Sequence, residues 1–61
     1  MKITDRMKAI DGVEDARWDS RKNRLVIYYQ GNKETITIRV AKALGDAFLQ
    51  DAVEEITLIS L

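Results

Sequence analysis

A chain of 61 residues with neither cysteine nor histidine has no disulfide, no thiolate or imidazole metal ligand, and lacks the side chain best placed for proton transfer near neutral pH. Ten basic and ten acidic residues cancel to a formal net charge of zero, without the overall basicity usual in a nucleic-acid domain. Three glycines, no proline and an apolar content of 46% exclude a disordered composition, and the length admits one small α+β domain, residues 1–61.

The charges are unevenly spread. All ten Lys and Arg lie in residues 2–42 beside six acids, a net +4, and the last 19 residues carry Asp46, Asp51, Glu54 and Glu55 with no base. Such asymmetry suits either an anionic partner or pairing of opposite charges within the domain and between copies, and the second is favoured. No apolar run approaches the ~20 residues of a membrane span, and the N-terminus lacks a signal-peptide core. A cytoplasmic protein, or an excised cytoplasmic domain, is expected.

Residues 2–10 read as a short helix, with Ile3, Met7 and Ile10 forming one apolar stripe. Asp11-Gly12 ends it, glycine being the usual residue in the left-handed position after a last turn. Glu14 to Ser20 reads as a strand with Ala16 and Trp18 on one face and Asp15, Arg17 and Asp19 on the other. Ser20-Arg21-Lys22-Asn23 makes the turn into a second strand, Leu25 to Gln30, bringing Trp18 near Ile27 or Tyr28. Leu25, Ile27 and Tyr29 share one face of that strand, and Val26 and Tyr28 share the other. Both faces are apolar or aromatic, as in a central strand or a sheet whose second face meets something.

Gly31-Asn32 supplies residues that tolerate the positive φ of a tight hairpin turn. Beyond it Thr35, Thr37 and Arg39 alternate with Ile36, Ile38 and Val40, the pattern of a half-buried strand. Ile36, Val40, Ala43, Leu44, Ala47 and Phe48 also fall at helical spacing, so a helix starting near Glu34 is the competing reading. The strand is preferred because Thr-Ile-Thr-Ile has poor helix propensity and no clear N-cap. Residues 41–50 read as a second helix burying Ala43, Leu44, Ala47 and Phe48. Residues 53–60 read as a last strand, with Ile56, Leu58, Ile59 and Leu61 leaving it apolar on both faces.

The run from Ile10 through Gly12-Val13 to Asp19, followed by Asn23 to Tyr29, resembles the helix, strand, turn and strand passage of small ferredoxin-like domains, among them heavy-metal-associated and amino-acid-binding regulatory (ACT) domains. The match covers about a third of the chain. Heavy-metal-associated domains have a strand and a Cys-x-x-Cys loop before that helix. This chain starts at the helix and has no cysteine, and no residue matches an amino-acid site. The resemblance implies a layout alone, and a missing first strand would leave a sheet edge available to a second chain. The expected architecture is therefore an α+β two-layer sandwich, two helices on one face of a largely antiparallel sheet. Its expected order is αβββαβ, with a ferredoxin-like αββαβ and a longer second helix as the alternative.

Catalytic sets are poor. Ser20 and Ser60 have no histidine partner, and Asp11, Glu14, Asp15 and Asp19 do not follow a calcium-loop spacing. No enzyme activity, cofactor or metal is expected. Arg17, Arg21, Lys22 and Arg24 cluster with Trp18 and Tyr28, the composition of a surface that stacks single-stranded bases. A self-associating protein-interaction module, a dimer or a complex with another protein, is the favoured reading. Two short helices can cover one sheet face, leaving Val26, Tyr28, Ile59 and Leu61 on the other face or at an edge.

Overall fold

The structure, a computed structural model, describes residues 2–61. Helix α1 (Ile3–Lys8) leads into strands β1 (Val13–Asp19) and β2 (Arg24–Tyr29). Helix α2 (Lys33–Asp46) and a 3-10 turn (Gln50–Ala52) then lead to strand β3 (Glu55–Ser60). The three strands form one sheet in the order β1-β2-β3. The α+β class and an arrangement compatible with two layers are as expected. The order is the αββαβ alternative, and the expected strand over Thr35–Val40 is replaced by the first half of α2.

The reason lies in Asn32. Its side-chain Oδ1 accepts a hydrogen bond from the Thr35 amide at 3.1 Å, so the residue expected in a hairpin turn is the N-cap of α2. Gly31, at φ +102°, turns the chain into that cap. The helix therefore opens on Lys33-Glu34, two residues before the β-branched run. The Thr37 hydroxyl donates back to the Lys33 carbonyl at 2.8 Å. Helical spacing stacks Ile36, Val40 and Leu44 on one buried stripe. Ile38, which a strand would have placed beside Ile36 and Val40, is instead 68% exposed.

The sheet is mixed rather than largely antiparallel. β1 and β2 form an antiparallel hairpin, with Asn23 at φ +49° in its turn, and β2 and β3 run parallel through the crossover that α2 provides. Trp18 stands opposite Leu25, two residues before Ile27 and three before Tyr28, the expected neighbours, and Ala16 stands opposite Ile27. Directly paired residues share a sheet face. Ala16, Leu25, Ile27 and Tyr29 consequently meet Met7 of α1 and Ile36, Val40 and Leu44 of α2 in a single buried core. Ile3, Ile10, Val13, Trp18, Leu49, Val53 and Leu58 pack around it. The helices thus cover one face of the sheet.

Phe48, expected in the core, is 89% exposed. The helix stops at Asp46, and the Leu49 amide bonds to the Leu44 carbonyl at 2.9 Å while the Phe48 amide bonds to the Gly45 carbonyl at 3.1 Å. This is a Schellman turn, in which the residue held left-handed, here Phe48 at φ +57°, points away from the helix. Leu49 takes the core position beside Leu44 that Phe48 was expected to fill. Phe48→Gly is expected to raise stability by roughly 1 kcal/mol, because a left-handed non-glycine residue costs about that and an exposed ring loses little burial. A rise of about 4–8 °C in melting temperature would match it, and an unchanged or lower midpoint would refute it.

Candidate functional site

The face of the sheet opposite the helices is built by simple alternation. Because Leu25, Ile27 and Tyr29 turn inward, Arg24, Val26 and Tyr28 turn outward. The two registers then place three rows across that face: Asp19, Arg24 and Glu55; Arg17, Val26 and Thr57; and Asp15, Tyr28 and Ile59. Leu61 follows on the same side by alternation, its amide bonding to the Tyr29 carbonyl at 2.9 Å. Val26, Tyr28, Ile59 and Leu61 are therefore brought to one surface. Val26 and Tyr28 are half-buried, Ile59 is 38% exposed and Leu61 is 65% exposed. Among the described residues, no helix covers them.

Opposite charges flank this apolar strip. Arg24 Nη2 lies 3.5 Å from Asp19 Oδ2, and Arg17 Nε lies 3.8 Å from Asp15 Oδ2. Among the described residues the buried Arg24 Nε has no hydrogen-bond partner, so that guanidinium is only partly satisfied. Lys8 Nζ approaches Asp15 Oδ1 at 3.5 Å. The Ala16 amide donates to the same oxygen at 2.8 Å and is the main cause holding the Asp15 carboxyl below its usual range. Desolvation opposes that shift, and the charges of Lys8 and Arg17 reinforce it. Asp15 is thus kept ionised, a role in charge pairing rather than in proton transfer.

The basic aromatic cluster does not form one surface. Trp18 packs against the core on the helix side, whereas Arg17, Arg24 and Tyr28 lie on the opposite face, and Arg21 and Lys22 lie in the connecting turn. Trp18 and Tyr28 share no stacking platform, and Arg17 and Arg24 each face an acid. Among the described residues, no group of three or more carboxylates is positioned to hold a metal ion, and no helix is long and apolar enough to cross a membrane.

A second apolar feature was not singled out from sequence. An open groove of about 290 Å³ runs between α2 and β3, lined by Lys33, Thr37, Val40, Ala41, Ile56 and Leu58. It continues over Glu34 and the exposed Ile38. The signal was present in Ile38 and Ala41, but it points to this place only once residues 33–46 are helical.

In comparisons with known proteins, no protein-family model matches the chain, and no curated protein or solved structure gives a significant match.

Proposed function

We propose that the protein is a non-enzymatic interaction module that self-associates through the helix-free face of its sheet, in a layout that resembles small ferredoxin-like domains. The observation that carries this reading is the meeting of Val26, Tyr28, Ile59 and Leu61 on one uncovered surface. A second copy is the favoured occupant because the flanking residues carry both signs. Arg17 and Arg24 of one copy can meet Asp15, Asp19 or Glu55 of another, so the face complements itself in charge. A contact removing roughly 400 Å² of apolar surface from each copy yields ~10 kcal/mol per copy at ~25 cal/mol/Å² before the cost of association. Surface ion pairs contribute only about 0–1 kcal/mol each, so the apolar strip supplies affinity and the charges supply orientation.

Sedimentation over a wide concentration range tests the reading. Wild type is expected to shift to a larger species as concentration rises. Tyr28→Glu is expected to weaken that association by about 30-fold or more, roughly 2 kcal/mol, by setting a carboxylate at the centre of the contact. Tyr28 is only half-buried in a single copy, so the variant is expected to keep the wild-type far-ultraviolet spectrum. Identical sedimentation of the two proteins would sink the proposal.

A further inference from the structure

The two edges of the sheet are not alike. β1 carries a bulge between Val13 and Asp15, and the Lys8–Asp15 pair sits beside it, devices that discourage pairing with another strand. β3 has neither. Its sequence, Glu55-Ile56-Thr57-Leu58-Ile59-Ser60, contains no Lys, Arg, Pro or Gly, and its residues pair with β2 in unbroken register. Among the described residues, no strand lies beyond it. With the Leu61 amide donating to the Tyr29 carbonyl, the alternation of a parallel ladder turns the N–H and C=O groups of Ile56, Leu58 and Ser60 away from β2. That row of free groups runs alongside the groove beneath α2.

We infer that β3 pairs antiparallel with β3 of a second copy about a two-fold axis through Leu58, forming a continuous six-stranded sheet, at a contact separate from the helix-free face. Three observations select this occupant. First, a two-fold axis perpendicular to the sheet keeps each face on its own side. Only residues of like parity can then stand opposite one another, and Leu58 meets Leu58 while Ile56 meets Ser60. All the outward-facing backbone groups are paired by this register.

Second, Ile56 and Leu58 lie on the helix side, because they pair with Leu25 and Ile27. Those of the second copy would enter the groove, whose walls at Val40, Ala41, Ile56 and Leu58 are apolar. Third, charge fixes the direction. The chain enters α2 from the Tyr29 end of β2, which pairs with Ser60, so Lys33 stands near the C-terminal end of β3. An antiparallel partner sets its acidic N-terminal end, Glu54 and Glu55, beside that lysine, whereas a parallel partner would set acid against acid. The uneven charge along the chain acquires a structural use in this pairing.

Residue-resolved amide hydrogen exchange at several protein concentrations, run beside sedimentation, tests the inference. The amides of Ile56, Leu58 and Ser60 are expected to exchange freely in dilute protein and to gain protection as concentration rises, in wild type and in Tyr28→Glu alike. Ser60→Pro removes an outward-facing donor without touching the β2 ladder. It is expected to weaken the edge contact by about tenfold or more while Thr57 and Ile59 stay protected. If Ser60→Pro fails to fold, the exchange pattern of wild type decides alone. Association in sedimentation with concentration-independent exchange at Ile56, Leu58 and Ser60 would overturn the edge contact and leave the face contact standing. No association at any concentration would overturn both.

Discussion

Ile27→Ala is expected to leave the protein largely unfolded at micromolar concentration. Ile27 has no exposed surface, and it sits at the middle of the central strand between Ala16 of β1 and Leu58 of β3. Its side chain points into the single core, against a layer made by Met7, Ile36, Val40 and Leu44. Truncating a buried isoleucine to alanine costs about 2–5 kcal/mol, the upper part of that range applying where neighbours cannot collapse into the space. Here they cannot, because the residue directly opposite is already an alanine and the backbone around it is pinned on both sides by ladder hydrogen bonds. A domain of this length has a stability of roughly 3–9 kcal/mol, so the loss is comparable with the whole.

Urea titration followed by tryptophan fluorescence of Trp18 measures it, and Ile27→Val should cost only about 1 kcal/mol. The measurement also bears on association. If copies of the folded protein bind one another, the midpoint of both variants must rise with protein concentration, since binding draws the equilibrium toward the folded state. An Ile27→Ala protein that melts like wild type would mean that the core is not where the buried residues place it.

What could be read from the sequence was mainly parity. The alternation of Ala16 and Trp18 against Asp15, Arg17 and Asp19, and of Leu25, Ile27 and Tyr29 against Val26 and Tyr28, follows from the geometry of a single strand and needs no knowledge of its neighbours. It held in the fold. That Ile59 falls beside Tyr28 depends on which strand β3 joins and in which register, a long-range choice made by the α2 crossover. The start of α2 is ambiguous in the sequence because two local signals share one residue. Asn32 after Gly31 suits a hairpin turn, but Asn32 three residues before Thr35 also suits an N-cap. The alternation Thr-Ile-Thr-Ile favoured the first, and only the Ile36, Val40 and Leu44 stripe, satisfied by the core, favoured the second. Phe48 failed for a related reason. Helical spacing is informative only while the helix lasts, and the turn at its end exchanges Phe48 for Leu49.

Gly12→Ala is expected to destabilise the protein by about 2 kcal/mol through two effects that act at one atom. Gly12 links α1 to β1 at φ +94°, a conformation in which an L side chain is strained by roughly 1–2 kcal/mol. A Cβ built there would also lie 2.6 Å from Ile36 Cδ1 and 3.4 Å from the Gln30 carbonyl oxygen. Ile36 is buried and cannot swing into solvent, so its methyl must shift within the core, at a further cost on the order of 1 kcal/mol. The stiffer unfolded chain of the alanine variant returns about 0.5–1 kcal/mol.

The Gly12 carbonyl accepts the Gln30 amide at 2.9 Å, and Arg39 Nη1 donates to the Asp11 carbonyl at 3.0 Å. The loop is thereby tied to both β2 and α2 and cannot relax by moving away. The companion substitution separates the two effects. Gly31 has a similar φ of +102° with nothing within 4 Å of a Cβ, so Gly31→Ala should carry the backbone strain without the clash. Chemical denaturation of the two variants should therefore place Gly12→Ala below Gly31→Ala by about 1 kcal/mol. Equal midpoints would show that Ile36 yields freely and that the packing of α2 against this loop is looser than its burial implies.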